Sequence, residues 1–162
     1  MPRAGDERHA HPGVRPAGPD DAAAIGELLH RFNTEFDEPT PGSEQLARRI
    51  GRLLEAGDNT VLLAGAGPDG LAVLRFRPSL WSDGLECHVA ELYVVPETRR
   101  QGLGRALMLA AIDVARRAGA DHMDLGTGDA DHAARALYES LGFSNRGGTP
   151  DGPVNYFYER DL

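Results

Sequence analysis

The chain has 162 residues, of which 41% are hydrophobic and 26% charged, a balance that suits one globular domain with a real core. Its formal net charge of -8 argues against unspecific nucleic-acid binding, which needs clustered positive charge, and is more comfortable with a small cationic partner. No apolar run approaches the roughly 20 residues that cross a bilayer, so no membrane partner is expected, and the one cysteine, Cys87, fits a reducing, cytoplasmic setting.

Residues 1–12 are polar, lack periodicity and lack the apolar stretch of a secretory leader, so they read as a disordered tail ahead of a single domain at 13–162. His9 and His11 have no third ligand beside them, and no metal is expected. A short strand is predicted at 14–16. The Gly18-Pro19-Asp20-Asp21 run then opens a helix carrying Ile25, Leu28, Leu29 and Phe32 at helical spacing. An acidic, proline-containing loop at 33–42 leads to a second helix from Ser43, with Leu46, Ile50, Leu53 and Leu54 on one face and Gly57 beyond its end. Strands follow at 60–64 and 71–76 as a hairpin, then Trp81 in an irregular loop, and a further strand at 86–95 that stops at Pro96. The second half alternates: a helix at 102–118 with Leu103, Leu107, Ala111, Val114 and Ala118 along one stripe, a strand at 121–125, a helix at 131–141, and a terminal strand at 154–158. That order implies helices packed on a sheet, an α/β (α+β) class.

The stretch with most chemical content joins the strand ending at Pro96 to the long helix. Arg99, Arg100 and Arg105 crowd into seven residues of an otherwise acidic chain, around Gly102 and Gly104. The first amides of a helix have no internal partners and lie at its positive dipole end. Glycine lets phosphate oxygens approach them, and arginine adds charge-assisted bonds. A diphosphate is expected to bind through the amides of residues 100–105. The same glycines would also serve a tight strand-to-helix turn. No third glycine stands at dinucleotide spacing, and no Gly-Lys-Ser/Thr of a phosphate loop is present.

Arg99-Arg100-Gln101-Gly102-Leu103-Gly104, preceded by Val94-Val95-Pro96, resembles the Gln/Arg-x-x-Gly-x-Gly/Ala signature of the GNAT N-acetyltransferase superfamily. The later Ala134-Arg135-Ala136-Leu137-Tyr138-Glu139-Ser140-Leu141-Gly142-Phe143 is similar to that family's Ala-x-x-Leu-Tyr-x-x-x-Gly-Phe element. Two motifs at the expected separation are far more specific than either alone. The resemblance implies a GNAT fold, a mixed and mostly antiparallel sheet of six to seven strands flanked by about four helices. It implies acetyl-CoA as cosubstrate and direct acetyl transfer to an amine, with homodimerisation as a family habit.

By the same resemblance, Arg99, Arg100, Gln101, Gly102, Leu103, Gly104 and Arg105 hold the pyrophosphate. A backbone N–H near Tyr93, Val94 or Val95 polarises the thioester carbonyl where the pantetheine arm would pair like an added strand. The family often has asparagine seven residues before the tyrosine. Here Asp131 stands there, as a cofactor contact or as a helix cap. Tyr138 occupies the general-acid position, from which a phenol can donate at neutral pH.

For the amine's proton, Glu91 is the first candidate base and His88 the second, on opposite sides of the strand by alternation. Cys87 has no evident partner for a nucleophilic role. Asp37 and Glu38 between the early helices, with Trp81 and His88, form the expected acceptor set, because acids with an aromatic suit a cation. Phe36-Asp37-Glu38-Pro39 together with the arginine-glycine run is faintly similar to aminoglycoside 3-N-acetyltransferases. The leading expectation is a small-molecule primary amine as acceptor. The alternatives are a protein or peptide amine, and a non-catalytic CoA-binding regulatory module.

Overall fold

The computed structural model describes residues 13–162, so the expected tail with His9 and His11 lies outside the described residues. Contacts divide the chain into two compact units, one running to Leu125 and the other Gly126–Leu162. In the first unit, five strands lie in sequence order: β1 (Val14–Pro16), β2 (Asn59–Ala64), β3 (Gly70–Pro78), β4 (Leu85–Val94) and β5 (Ala120–Leu125). β1 to β4 are antiparallel neighbours, and β5 joins β4 in parallel. The parallel step needs a crossover, and α3 (Leu103–Arg117) supplies it.

α1 (Ala22–Glu35) and α2 (Ser43–Ala56) pack against each other. Pro19 starts a 3-10 turn just ahead of α1 rather than α1 itself. Asp21 closes that turn: its carboxylate accepts from Gly18 N at 2.8 Å and pairs with Arg15 at 2.8 Å, which holds it well below the usual carboxylate range. At the crossing of the two helices a Cβ on Gly26 would lie 2.7 Å from Ala47 N, so only glycine permits the approach. Ile25, Leu28 and Ile50 meet Val61, Leu63, Leu71, Val73, Tyr93 and Val95 in one cluster, which fixes one face of the sheet. α3 contributes a buried stripe of Leu107, Met108, Ala110, Ala111 and Ala115. Relative to the expected stripe, Val114 is only half-buried and Ala118 exposed, because the buried face drifts around the helix toward 108 and 115.

In the second unit, α4 (His132–Ser140) begins at Asp131, whose carboxylate accepts from Ala134 N at 3.0 Å. Gly142 follows α4 at φ +89°, and the ring of Phe143 stands edge-on to Tyr138 at 6.1 Å. The strand expected at 154–158 does not form. Val154 makes one isolated bridge to Arg146, and Tyr156, Phe157 and Tyr158 are 76%, 72% and 87% exposed. A β-branched and aromatic run becomes a strand only against a ladder partner, and the sheet of the described residues has five strands, not six or seven.

Candidate active site

At the C-terminal end of β4 the chain makes a 3-10 turn at Pro96–Thr98 and then enters α3. Two residues of this connection have left-handed backbone, Arg100 at φ +63° and Gly102 at φ +82°. Gly102 is the N-cap of α3, and no side chain caps the helix. The first helix amide with a backbone acceptor at this junction is Ala106 N, bonded to Gly102 O at 2.9 Å. The amides of Leu103 and Gly104 are therefore orphan donors of the helix start. A Cβ on Gly102 would meet nothing within 4 Å, so this side of the loop is open.

Arg99 plays a different part from its neighbours. Its guanidinium pairs with Glu35 at the end of α1 (2.7 and 2.8 Å), and its Nε donates to Val94 O at 2.9 Å. It also lies over the Tyr93 ring, 5.7 Å from the centroid. Tyr93 Oη donates to Glu35 at 2.8 Å and its ring stacks on Phe32 at 4.9 Å, while Arg31 pairs with Glu97 at 2.9 Å. The Glu35 carboxyl is held below its ordinary range, first by Arg99 and then by Tyr93. Burial and Glu35 push the Tyr93 phenol up to about 12. The end of α1 is thus tied to the connection that precedes α3. The sequence offers no signal for this, since Glu35 and Arg99 are 64 positions apart.

β4 pairs with β5 from Leu85 to Val89, and its residues 90–94 continue with β3 as their ladder partner. On that stretch the edge that faced β5 is free of sheet pairing among the described residues. A bulge lies at the same place: Val73 pairs with Glu91 and Leu74 with Val89, so Ala90 is the extra residue. Strict alternation is broken there. Val73 lies on the face covered by α1 and α2, and so does its partner Glu91. Arg75 shares that face with Val73, two positions away, and so does Arg75's partner His88. His88 and Glu91 therefore lie on one face, not on opposite ones. Burial raises the Glu91 carboxyl above its ordinary range, against the opposing charges of Arg75 and His88.

His88 Nδ1 hydrogen-bonds Asp124 Oδ1 on β5, a residue that the sequence reading passed over. Alternation along β5 puts His122 and Asp124 on one face, but the parallel register that brings Asp124 opposite His88 has no signature in the sequence. Cys87 points the other way and is fully buried; burial, and then the Asp124 charge, push its thiol up to about 11. That removes it as a nucleophile at neutral pH.

The expected acceptor residues are not brought together. Asp37, at φ +55°, and Glu38 follow the end of α1 near the connection to α3. Trp81, 91% exposed, sits at the tip of the β3–β4 hairpin. The two ends of β4 are nine residues, roughly 30 Å, apart. At the hairpin tip a pocket of about 400 Å³ lies among Arg77, Ser79, Trp81, Glu86, Asp121 and His122. Asp131 spends its carboxylate on the α4 cap, and Tyr138 is buried, its phenol pushed up to about 12 by burial and then by the Asp131 charge.

The Acetyltransferase (GNAT) family pattern matches residues 23–143, three quarters of the chain. The chain belongs to the GNAT acetyltransferase family. A crystal structure of a protein from Arthrobacter sp. FB24, assigned to the acetyltransferases, superposes on this GNAT chain with a TM-score of 0.83 at 41% identity, covering 99% of this chain and 100% of that one. The uncharacterized N-acetyltransferase YhfO of Bacillus subtilis is 29% identical over 132 residues, covering 80% of this chain and 88% of YhfO. Thialysine N-epsilon-acetyltransferase of Caenorhabditis elegans is 26% identical over 129 residues, with 78% and 79% covered. The fold is shared with an aminoglycoside acetyltransferase from an uncultured soil metagenomic sample, in complex with sisomicin (TM-score 0.70, 18% identity, covering 91% of this chain and 95% of that one). The GNAT chain is an N-acetyltransferase, and acetyl-CoA is the cosubstrate its family uses.

Proposed function

We propose that the enzyme moves an acetyl group directly from acetyl-CoA to the primary amine of a small cationic molecule. The observation that carries this reading is the uncapped start of α3 beside the unpaired stretch of β4. Amides at Leu103 and Gly104, with the Arg100 and Arg105 side chains nearby in sequence, suit a pyrophosphate. The free edge at 90–94 suits a pantetheine amide added like a strand, with a donor near Tyr93, Val94 or Val95 for the carbonyl oxygen. Gln101 completes the signature as a loop residue of the same cradle. Arg99 serves it as a brace on Glu35. Asp131, engaged in its own helix cap, is left out of the cofactor contacts.

Tyr138 supplies the proton to the departing thiolate, a role that rests on its motif and on a phenol that stays protonated through neutral pH. The acceptor side rests on the carboxylates Glu86, Glu91 and Asp124, which share one face of the sheet and suit a cation. The sisomicin complex of the structural neighbour and the faint sequence likeness make polyamine sugars the first acceptors to try. The thialysine enzyme makes amino-acid side-chain amines the second. A reducing cytoplasm suits the buried free thiol, and the family pattern spanning both units supports one functional domain.

The test is an amine panel with acetyl-CoA, following free thiol and confirming the acetylated product by mass. Release of thiol with a soluble primary amine supports the reading. Activity confined to peptide amines replaces the acceptor class, and cofactor binding without transfer to any amine sinks the reading. Light scattering tests homodimerisation, which a mass of about 17 kDa rejects.

A further inference from the structure

Two rows of polar side chains cross the sheet on the face that β3, β4 and β5 share away from α3. One is Arg75–His88–Asp124 and the other Arg77–Glu86–His122, each set by the strand register. Within them the contacts are directional. His88 Nδ1 bonds Asp124 Oδ1, Arg77 Nε donates to Glu86 at 2.7 Å, and Arg77 and His122 flank the second Asp124 oxygen at 3.8 and 3.9 Å. A carboxylate can only accept, so in a neutral His88 ring the hydrogen sits on Nδ1 and the lone pair on Nε2. The His88 side chain is 34% exposed, so the ring lies within reach of a ligand. Glu91 shares the face through the bulge at Ala90, but it meets Arg75 and His88 through charge rather than through an orienting bond.

We propose that His88, oriented by Asp124, is the base that takes the proton from the acceptor ammonium, with Asp124 as its positioning residue. This rests on the acetyl-transfer reading above. The ammonium gives one proton to His88 Nε2, and the neutral nitrogen attacks the thioester carbonyl carbon. The C–N bond forms and the C–S bond breaks. The nitrogen's surplus proton passes to solvent, the thiolate takes the proton supplied from the Tyr138 phenol, and solvent returns a proton to Tyr138. The imidazolium at His88 releases its own, so one proton leaves per turnover. Arg75 and Arg77 on β3, Glu86 and Glu91 on β4, and His122 and Asp124 on β5 are the charged and titratable groups that surround this step.

The discriminating experiment compares His88→Gln, His88→Ala and Asp124→Asn with the wild type on primary amines of graded basicity, from alkylamines to amines already neutral at the assay pH. Glutamine retains an amide for Asp124, and calorimetry with acetyl-CoA shows that each variant keeps its cofactor site. His88→Gln is expected to lower kcat/KM about 100-fold for an alkylamine and less than threefold for a neutral one. Asp124→Asn is expected to follow the same trend at about tenfold, and added imidazole to restore part of the alkylamine rate of His88→Ala. Equal losses across the series, or none, overturn the assignment while leaving acetyl transfer intact. A wild type that acetylates none of the amines overturns both.

Discussion

Tyr138, Gly102 and Glu35 make claims that single substitutions can check. The Tyr138 phenol is pushed up to about 12, so it holds its proton across the working range and can give it to a thiolate. Tyr138→Phe removes that proton and little volume. Its kcat is expected to fall about 100-fold with KM for acetyl-CoA nearly unchanged, as read by steady-state thiol release. Gly102 is at φ +82° at the mouth of the amide cradle, with free space where a Cβ would go. Gly102→Ala therefore costs backbone strain of about 1 kcal/mol and places a methyl group where the proposed cofactor reading puts a phosphate oxygen. Calorimetry is expected to show acetyl-CoA affinity lower by about tenfold, with a melting point a few degrees down. Glu35 is a question of sign. Its folded carboxyl lies below the ordinary value of 4.5, chiefly through the Arg99 bond, so its stabilisation is present above that value and is lost as pH falls through the folded one. Both partners are partly exposed, so Glu35→Gln is expected to cost only about 1 kcal/mol near neutral pH. The gap from wild type, measured as urea midpoints, closes in acid.

Elements show what a sequence can and cannot reveal. α3, the glycine loop at its start and the positions of the five sheet strands along the chain were legible because local signals carry them: an apolar period, two glycines, a proline that ends β4. The β4 bulge was not. It lies within a run of ordinary residues, Val89, Ala90 and Glu91, and exists because β3 and β4 must keep Val73 and Tyr93 in one core while Leu74 and Val89 pair on the other face. One extra residue moved Glu91 to the side of His88 and so changed which groups can share a task. The missing last strand was overread for the opposite reason, since Val154, Tyr156 and Phe157 have strand propensity but no partner ladder. The aim of the cradle depends in turn on how α3 is seated. Leu107 is fully buried one turn inside the orphan amides. Leu107→Ala is expected to destabilise the chain by about 3 kcal/mol through lost burial and an unfilled cavity, measured by urea unfolding.

Across the whole molecule, the phenols buried in its two units make stability sensitive to base. Tyr93 is 4% exposed and Tyr138 is 9% exposed, and each is raised from 10.0 to about 12 mainly because burial penalises the phenolate. An unfolded chain would ionise both near 10. A group raised on folding contributes fully below its unfolded value and loses that contribution as pH climbs through the folded one. Two pH units are worth about 2–3 kcal/mol per phenol, a large share of what a domain of this size has to spare. The buried Cys87 thiol, raised from 9.0 to about 11, adds to the same limb, so the urea midpoint is expected to hold level up to about pH 8, then drop steeply between about 9 and 12. Tyr93→Phe should flatten about a third of that drop, even though it also loses the Glu35 bond and lowers the midpoint at neutral pH. An alkaline limb of equal steepness in Tyr93→Phe would mean that solvent reaches this phenol. The packing of Phe32 on Tyr93, through which α1 is tied to the connection before α3, would then be looser than described.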